Sequence, residues 1–177
     1  MSRVDPVADL RRYFLARYHP LGARIFDCAG NAALWSKISD SVRYVGYDYE
    51  AAKEAGLQLL FSEVEADIID IGGSDPWGIY ADVLAGFTGR PVILFFSISK
   101  KSLRLDDGLE KYVWERVGIP FDWSRWNGPA IDGLVLRAGI SCAEACGFTI
   151  EDAQAVRFLG KPFPWRYNHV GIRLLPE

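Results

Sequence analysis

The spacing of two acids that each close an apolar run does most to limit what this chain can fold into. Residues 24–28 (Arg-Ile-Phe-Asp-Cys) read as a buried strand entering the small-residue turn Ala29-Gly30-Asn31, and residues 44–48 read as a second strand ending in Asp48. Asp27 and Asp48 lie 21 positions apart. In a βαβ unit that interval sets one acid at the tip of each of two neighbouring parallel strands, with the turn between them. Such a turn lets a ligand approach the backbone, and the second acid can accept the hydroxyl protons of a ribose. The pair therefore suits an adenosine-bearing ligand. Gly30 and Ala33 satisfy the dinucleotide Gly-x-Gly-x-x-Gly pattern only in part. A nicotinamide dinucleotide is the rival ligand, disfavoured because no second mononucleotide half follows.

The rest of the chain alternates in the same way. Residues 6–18 have helical spacing, with Val7, Leu10, Phe14 and Tyr18 at three- and four-residue steps, and His19-Pro20-Leu21-Gly22 ends them. Asn31 can cap a short helix over 32–38. A further helix begins over 50–55, and residues 57–61 are the only candidate for a third strand, in a cramped interval that predicts an abbreviated edge. The near-continuous apolar run 66–71 has the pattern of a central parallel strand covered on both faces. Residues 72–78 (Gly-Gly-Ser-Asp-Pro-Trp-Gly) break it, a helix returns over 79–87, and 91–97 is another buried strand. A long polar and aromatic stretch precedes a helix over 130–146. Residues 148–158 and 165–175 then alternate about a Gly/Pro turn at 160–164, the pattern of an antiparallel hairpin.

A chain of 177 residues, half of them hydrophobic and 14% aromatic, has enough apolar material for a single core spanning 1–177. Its net charge of -3 provides no general attraction to nucleic acid, so such binding needs a local basic patch. Lys100, Lys101 and Arg104 lie on the expected rim and suit either phosphate contact or a solvated loop. No apolar run has the length of a membrane span, and residues 1–5 lack the apolar core of a signal peptide, so a cytoplasmic protein without a membrane partner is expected. Cys28, Cys142 and Cys146, with only His19 and His169, offer no four-ligand zinc set and read as structural thiols, with no metal expected.

Parallel strands alternating with helices and ending in an antiparallel hairpin resemble the layout of class I S-adenosylmethionine-dependent methyltransferases. Three segments are similar to that family's motifs. Residues 26–31, with Asp27, Cys28 and Gly30, resemble the first, an acid followed by a Gly-rich turn, although Cys28 and Ala32 stand where glycine is frequent. Val45-Gly46-Tyr47-Asp48 resembles the second, whose acid binds the ribose, and Tyr49 can then pack on adenine or on the core. Asp67-Ile68-Ile69-Asp70 with Asp75-Pro76-Trp77-Gly78 resembles the fourth, in the version carried by tRNA guanine-N2 dimethyltransferases, with an inserted Gly72-Gly73-Ser74.

The resemblance implies an α/β, three-layer Rossmann-like fold with a mostly parallel seven-stranded or reduced sheet. It also implies S-adenosylmethionine as cofactor, held by Asp27, Cys28, Gly30, Asp48, Tyr49 and Asp70. The implied reaction is N-methylation of a nucleobase amine, most naturally in RNA, with Asp75 holding the amine and Trp77 stacking on the base. Small-molecule methylation, or a non-catalytic binding module, is the alternative. Each residue also has a plainer role: Asp27 can hold the turn through backbone N–H groups, Asp75-Pro76 can be an ordinary turn, and Trp77 can be core. The aromatic stretch 114–126 fits a lid or simple packing, and His169 fits a satisfied core position.

Overall fold

The computed structural model describes residues 5–72, 76–87, 89–99, 143–144, 146–157 and 167–177. Within them a six-stranded sheet has the order β2-β1-β3-β4-β6-β5. Strands β1 (Ala23–Asp27), β2 (Val42–Gly46), β3 (Ile68–Gly72) and β4 (Val92–Ser99) run parallel, in the pairs β2·β1, β1·β3 and β3·β4. The terminal strands β5 (Phe148–Arg157) and β6 (Tyr167–Pro176) form the expected antiparallel hairpin, and β6 also pairs antiparallel with β4. The fold is thus mixed α/β, mostly parallel, with an antiparallel end.

Helices cover both faces. On one, α1 (Pro6–Tyr18) and α2 (Ala32–Ile38) bury Leu10, Phe14, Leu15 and Trp35 against Ile25, Ile68, Ile93 and Phe95. On the other, α4 (Pro76–Gly86) and the 3-10 turn Phe61–Glu63 bury Ile79, Val83, Leu84 and Phe61 against Ile69, Ile71, Leu94 and Phe96. Every residue of β3 is buried, which explains why it reads as one apolar run rather than an alternation. The short α3 (Tyr49–Glu54) follows β2. No helix among the described residues is long and apolar enough to cross a membrane.

Three local expectations change. Residues 57–60 form no strand, and a 3-10 turn follows at Phe61–Glu63. Leu57 and Leu60 are exposed while Phe61 is buried, so this segment anchors through one ring instead of pairing with β2. The helix placed at 79–87 starts at Pro76, because a proline is compatible with the first turn, where its missing N–H has no intrahelical partner. Asn31 occupies the N-cap position of α2, but its side chain makes no capping bond. Residues 100–142, including Lys100, Lys101, Arg104, Cys142, the 114–126 stretch and most of the 130–146 helix, lie outside the described residues, as does the 160–164 turn.

Candidate functional site

The carboxyl ends of β1, β2 and β3 meet at one edge of the sheet, where the two register-paired acids Asp27 and Asp70 sit side by side. Asp27 has no exposed surface and accepts three hydrogen bonds. Its Oδ1 takes the Ala29 N–H at 2.7 Å, and its Oδ2 takes the Asn31 N–H at 2.6 Å and the Tyr44 hydroxyl of β2. Asp27 therefore holds the turn from beneath, the plainer of its two sequence readings. Burial and the neighbouring Asp70 charge push its carboxyl above the usual range, while the Tyr44, Ala29 and Asn31 donors oppose them.

The turn itself faces outward. Gly30 is exposed with φ of +68°, and a Cβ built there meets nothing within 4 Å. A left-handed residue with open space beside it is what close approach of a ligand to backbone requires. Across the edge, Gly72 at the end of β3 has φ of +75°, and a Cβ there would fall 2.4 Å from Ala29 Cβ. Glycine at 72 thus lets the turn rest against β3.

Asp48 lies two residues beyond β2 and is exposed. It N-caps α3, its Oδ1 accepting the Ala51 N–H at 3.0 Å. Tyr49 is half-buried and donates its hydroxyl to Asp82 of α4 at 3.1 Å. Beside it opens a cavity of about 430 Å³ lined by Tyr47, Tyr49, Leu59, Phe61 and Asp82 among others. That volume falls in the roughly 300–1,000 Å³ range of small-molecule sites. Tyr47 stacks on Phe26 at 5.5 Å and meets Tyr49 edge-on at 6.5 Å, so one wall of the cavity is aromatic. The edge fits an adenosine-bearing cofactor in its parts: an open glycine turn, an exposed acid and an aromatic hollow.

Two further expected cofactor residues lie deeper in the fold than the open turn. Asp70 is wholly buried beneath the edge, not on it. Its Oδ2 accepts the Arg11 Nη2 and Nε protons at 2.8 and 3.2 Å and the Trp35 Nε1 proton at 3.0 Å. It is the counter-ion of a buried arginine, whose guanidinium lies 4.9 Å from the Phe95 ring centre and 5.5 Å from that of Trp35. Cys28 packs its side chain against the core on the α4 face and gives its N–H to the Asp70 carbonyl at 2.8 Å. Burial first, then the Asp27 and Asp70 charges, push its thiol up to about 12, which disfavours the thiolate at neutral pH. Trp77 lies in the first turn of α4, while Asp75 and the Trp77 side chain lie outside the described residues.

Sequence reasoning missed Arg11 and Tyr44. Arg11 follows Leu10 and stands three and four positions from Ala8 and Leu15, inside the buried arc of α1; a charge within that arc was the available signal. Tyr44 left no signal, since a strand tyrosine is ordinary.

No protein-family model matches the chain, and no curated protein matches it by sequence. Solved structures do. TYW2 of M. jannaschii in complex with AdoMet superposes with a TM-score of 0.50 at 10% identity, covering 100% of this chain and 79% of that one. The N-methyltransferase NodS from Bradyrhizobium japonicum WM9 aligns at 12% identity with a TM-score of 0.47, covering 98% of each chain. Strand order, terminal hairpin and superposition agree, and the chain has the Rossmann-like fold of the class I S-adenosylmethionine-dependent methyltransferases.

Proposed function

We propose that this chain is an S-adenosylmethionine-dependent methyltransferase that acts on the amino nitrogen of a nucleobase, with RNA as acceptor. One observation carries the cofactor reading: at the carboxyl edge of a parallel sheet the Gly30 turn faces outward, clamped by buried Asp27. Exposed Asp48 just past β2 and the aromatic cavity lined by Tyr47 and Tyr49 add to it. The superposed TYW2 was solved with AdoMet, which supports the same ligand here.

In this reading Asp48 accepts ribose hydroxyl protons, Tyr49 and Tyr47 supply the apolar wall for adenine, and the Gly30 backbone lies against the cofactor. The bound cofactor supplies an electrophilic methyl group, so alignment of the acceptor nitrogen is the main demand on the protein. An exocyclic base amine is a weak nucleophile because its lone pair is delocalised. Asp75 accepts its N–H bonds and stabilises the positive charge that develops on nitrogen, while Trp77 fixes the ring plane by stacking. What supports these roles is the Asp75-Pro76-Trp77-Gly78 segment and its place directly after β3, where α4 begins at Pro76.

Calorimetric titration with S-adenosylhomocysteine and with NAD separates the two nucleotide readings, and binding of NAD alone overturns ours. Incubation with labelled S-adenosylmethionine and, separately, total RNA, DNA and a metabolite extract tests the acceptor. Label in RNA is expected. Label confined to metabolites overturns the nucleobase assignment, and no transfer to any acceptor favours a binding module. Asp75→Ala should abolish transfer with cofactor affinity nearly unchanged.

A further inference from the structure

We infer that Tyr44 is a positioning residue of the cofactor turn: its hydroxyl keeps buried Asp27 ionised, so that the carboxylate can hold the Ala29 and Asn31 amides together. This inference rests on the cofactor reading above. Tyr44 comes from β2, is half-buried, and reaches across to Asp27 Oδ2, the same oxygen that holds Asn31. Its path is built into the strand. An added Cβ at Gly46 would lie 3.2 Å from the Tyr44 ring and 3.4 Å from its hydroxyl oxygen, so glycine there leaves the ring its room.

The clamp depends on charge. Asp27 is fully buried, and its strand neighbour Asp70 is a second buried carboxylate. Both effects favour a proton on Asp27, and Tyr44 with the two amides opposes them. Arg11 from α1 compensates Asp70. Around this group stand Arg11, Asp70, Tyr44 and the Cys28 thiol; His169 of β6 interacts with Arg11, Asp70 and Asp5, its imidazole held neutral near neutral pH by burial and by Arg11. A proton on Asp27 turns one of its two oxygens into a hydroxyl donor and weakens the acceptor pair that the three donors share, Ala29 on Oδ1 and Asn31 with Tyr44 on Oδ2. The turn then loosens, and the cofactor loses a pre-formed surface.

The test is S-adenosylhomocysteine affinity from pH 8 downward in the wild type and in Tyr44→Phe, with folding checked by circular dichroism. Removing a hydrogen bond to a charged group moves the midpoint of the affinity loss up by about one to two pH units. A hydroxyl that merely packs would lower affinity by one factor at every pH. Carbon-13 NMR titration of the Asp27 carboxyl in the ligand-free protein should show the same upward shift without any ligand. Should Tyr44→Phe fail to fold, Gly46→Ala displaces the ring and should give a smaller shift in the same direction. Coincident midpoints in wild type and variant overturn the role of Tyr44. Wild-type protein that binds no S-adenosylhomocysteine overturns the cofactor reading, while the NMR shift still decides whether Tyr44 holds Asp27 ionised.

Discussion

Asp27 and Asp70 are register partners on adjacent parallel strands, both without exposed surface, and they divide the labour at the sheet edge. Asp27 turns its oxygens to the backbone of the loop, and Asp70 turns Oδ2 to Arg11 and Trp35. One acid shapes the candidate site and the other ties the N-terminal helix to the sheet beneath it.

That tie should be costly to break from one side. Arg11→Met leaves Asp70 buried with only the Trp35 donor and should lower unfolding stability by about 3–5 kcal/mol in urea titration. The double variant Arg11→Met/Asp70→Leu should recover most of the loss, because neither charge of the pair then remains buried. A single variant within about 1 kcal/mol of wild type would show that the pair is not what fixes α1.

His169 sets an acid-side limit on stability. Its pKa falls from the ordinary 6.5 to about 4, through burial first and then through Arg11. A histidine with a depressed folded pKa stabilises the fold above its unfolded pKa, and that contribution is lost as pH falls from about 6.5 through 4. The loss should total about 3 kcal/mol. Asp67 and Asp152, both held low by their donors, lose their contributions at still lower pH, below about 4. His169→Gln should flatten the stability profile between pH 6.5 and 4, and an unchanged slope there would refute the assignment.

The Cys28 thiol should resist alkylation in the folded protein. With its pKa at about 12, thiolate at pH 8 is roughly one part in ten thousand, against roughly a quarter for an ordinary cysteine. Iodoacetamide at pH 8 followed by peptide mass spectrometry should find Cys28 unmodified until denaturant is added. Rapid labelling of the native protein would mean that the turn opens far more than its hydrogen bonds allow.

Asp48→Ala separates the N-cap that residue makes from the ribose contact proposed for it. Loss of the N-cap to Ala51 should cost about 1 kcal/mol. Loss of the ribose acceptor should weaken S-adenosylhomocysteine binding by about 10- to 100-fold. Asp48→Asn keeps a capping oxygen, so it should restore stability while leaving affinity reduced. Equal affinity in all three proteins would remove Asp48 from the site.

Six of the seven strands expected from the sequence, their order of appearance and the closing hairpin were legible in the chain. Those follow from local period and from glycine and proline punctuation, as in the unbroken run of β3 and the alternation of β5 and β6. The sequence also placed Asp27 and Gly30 at a turn, because a strand end and its turn are adjacent in the chain; Asp48, expected as the last residue of the second strand, instead caps α3 two residues beyond it. Only the tertiary structure decided what those residues touch. Arg11 meets Asp70 across 59 positions and Tyr44 meets Asp27 across 17, and no local pattern encodes either meeting. The same holds for residues 57–61, whose leucines suit a strand by composition. Whether they pair with β2 or seat Phe61 beneath α4 depends on packing against elements distant in sequence, and the buried ring prevails.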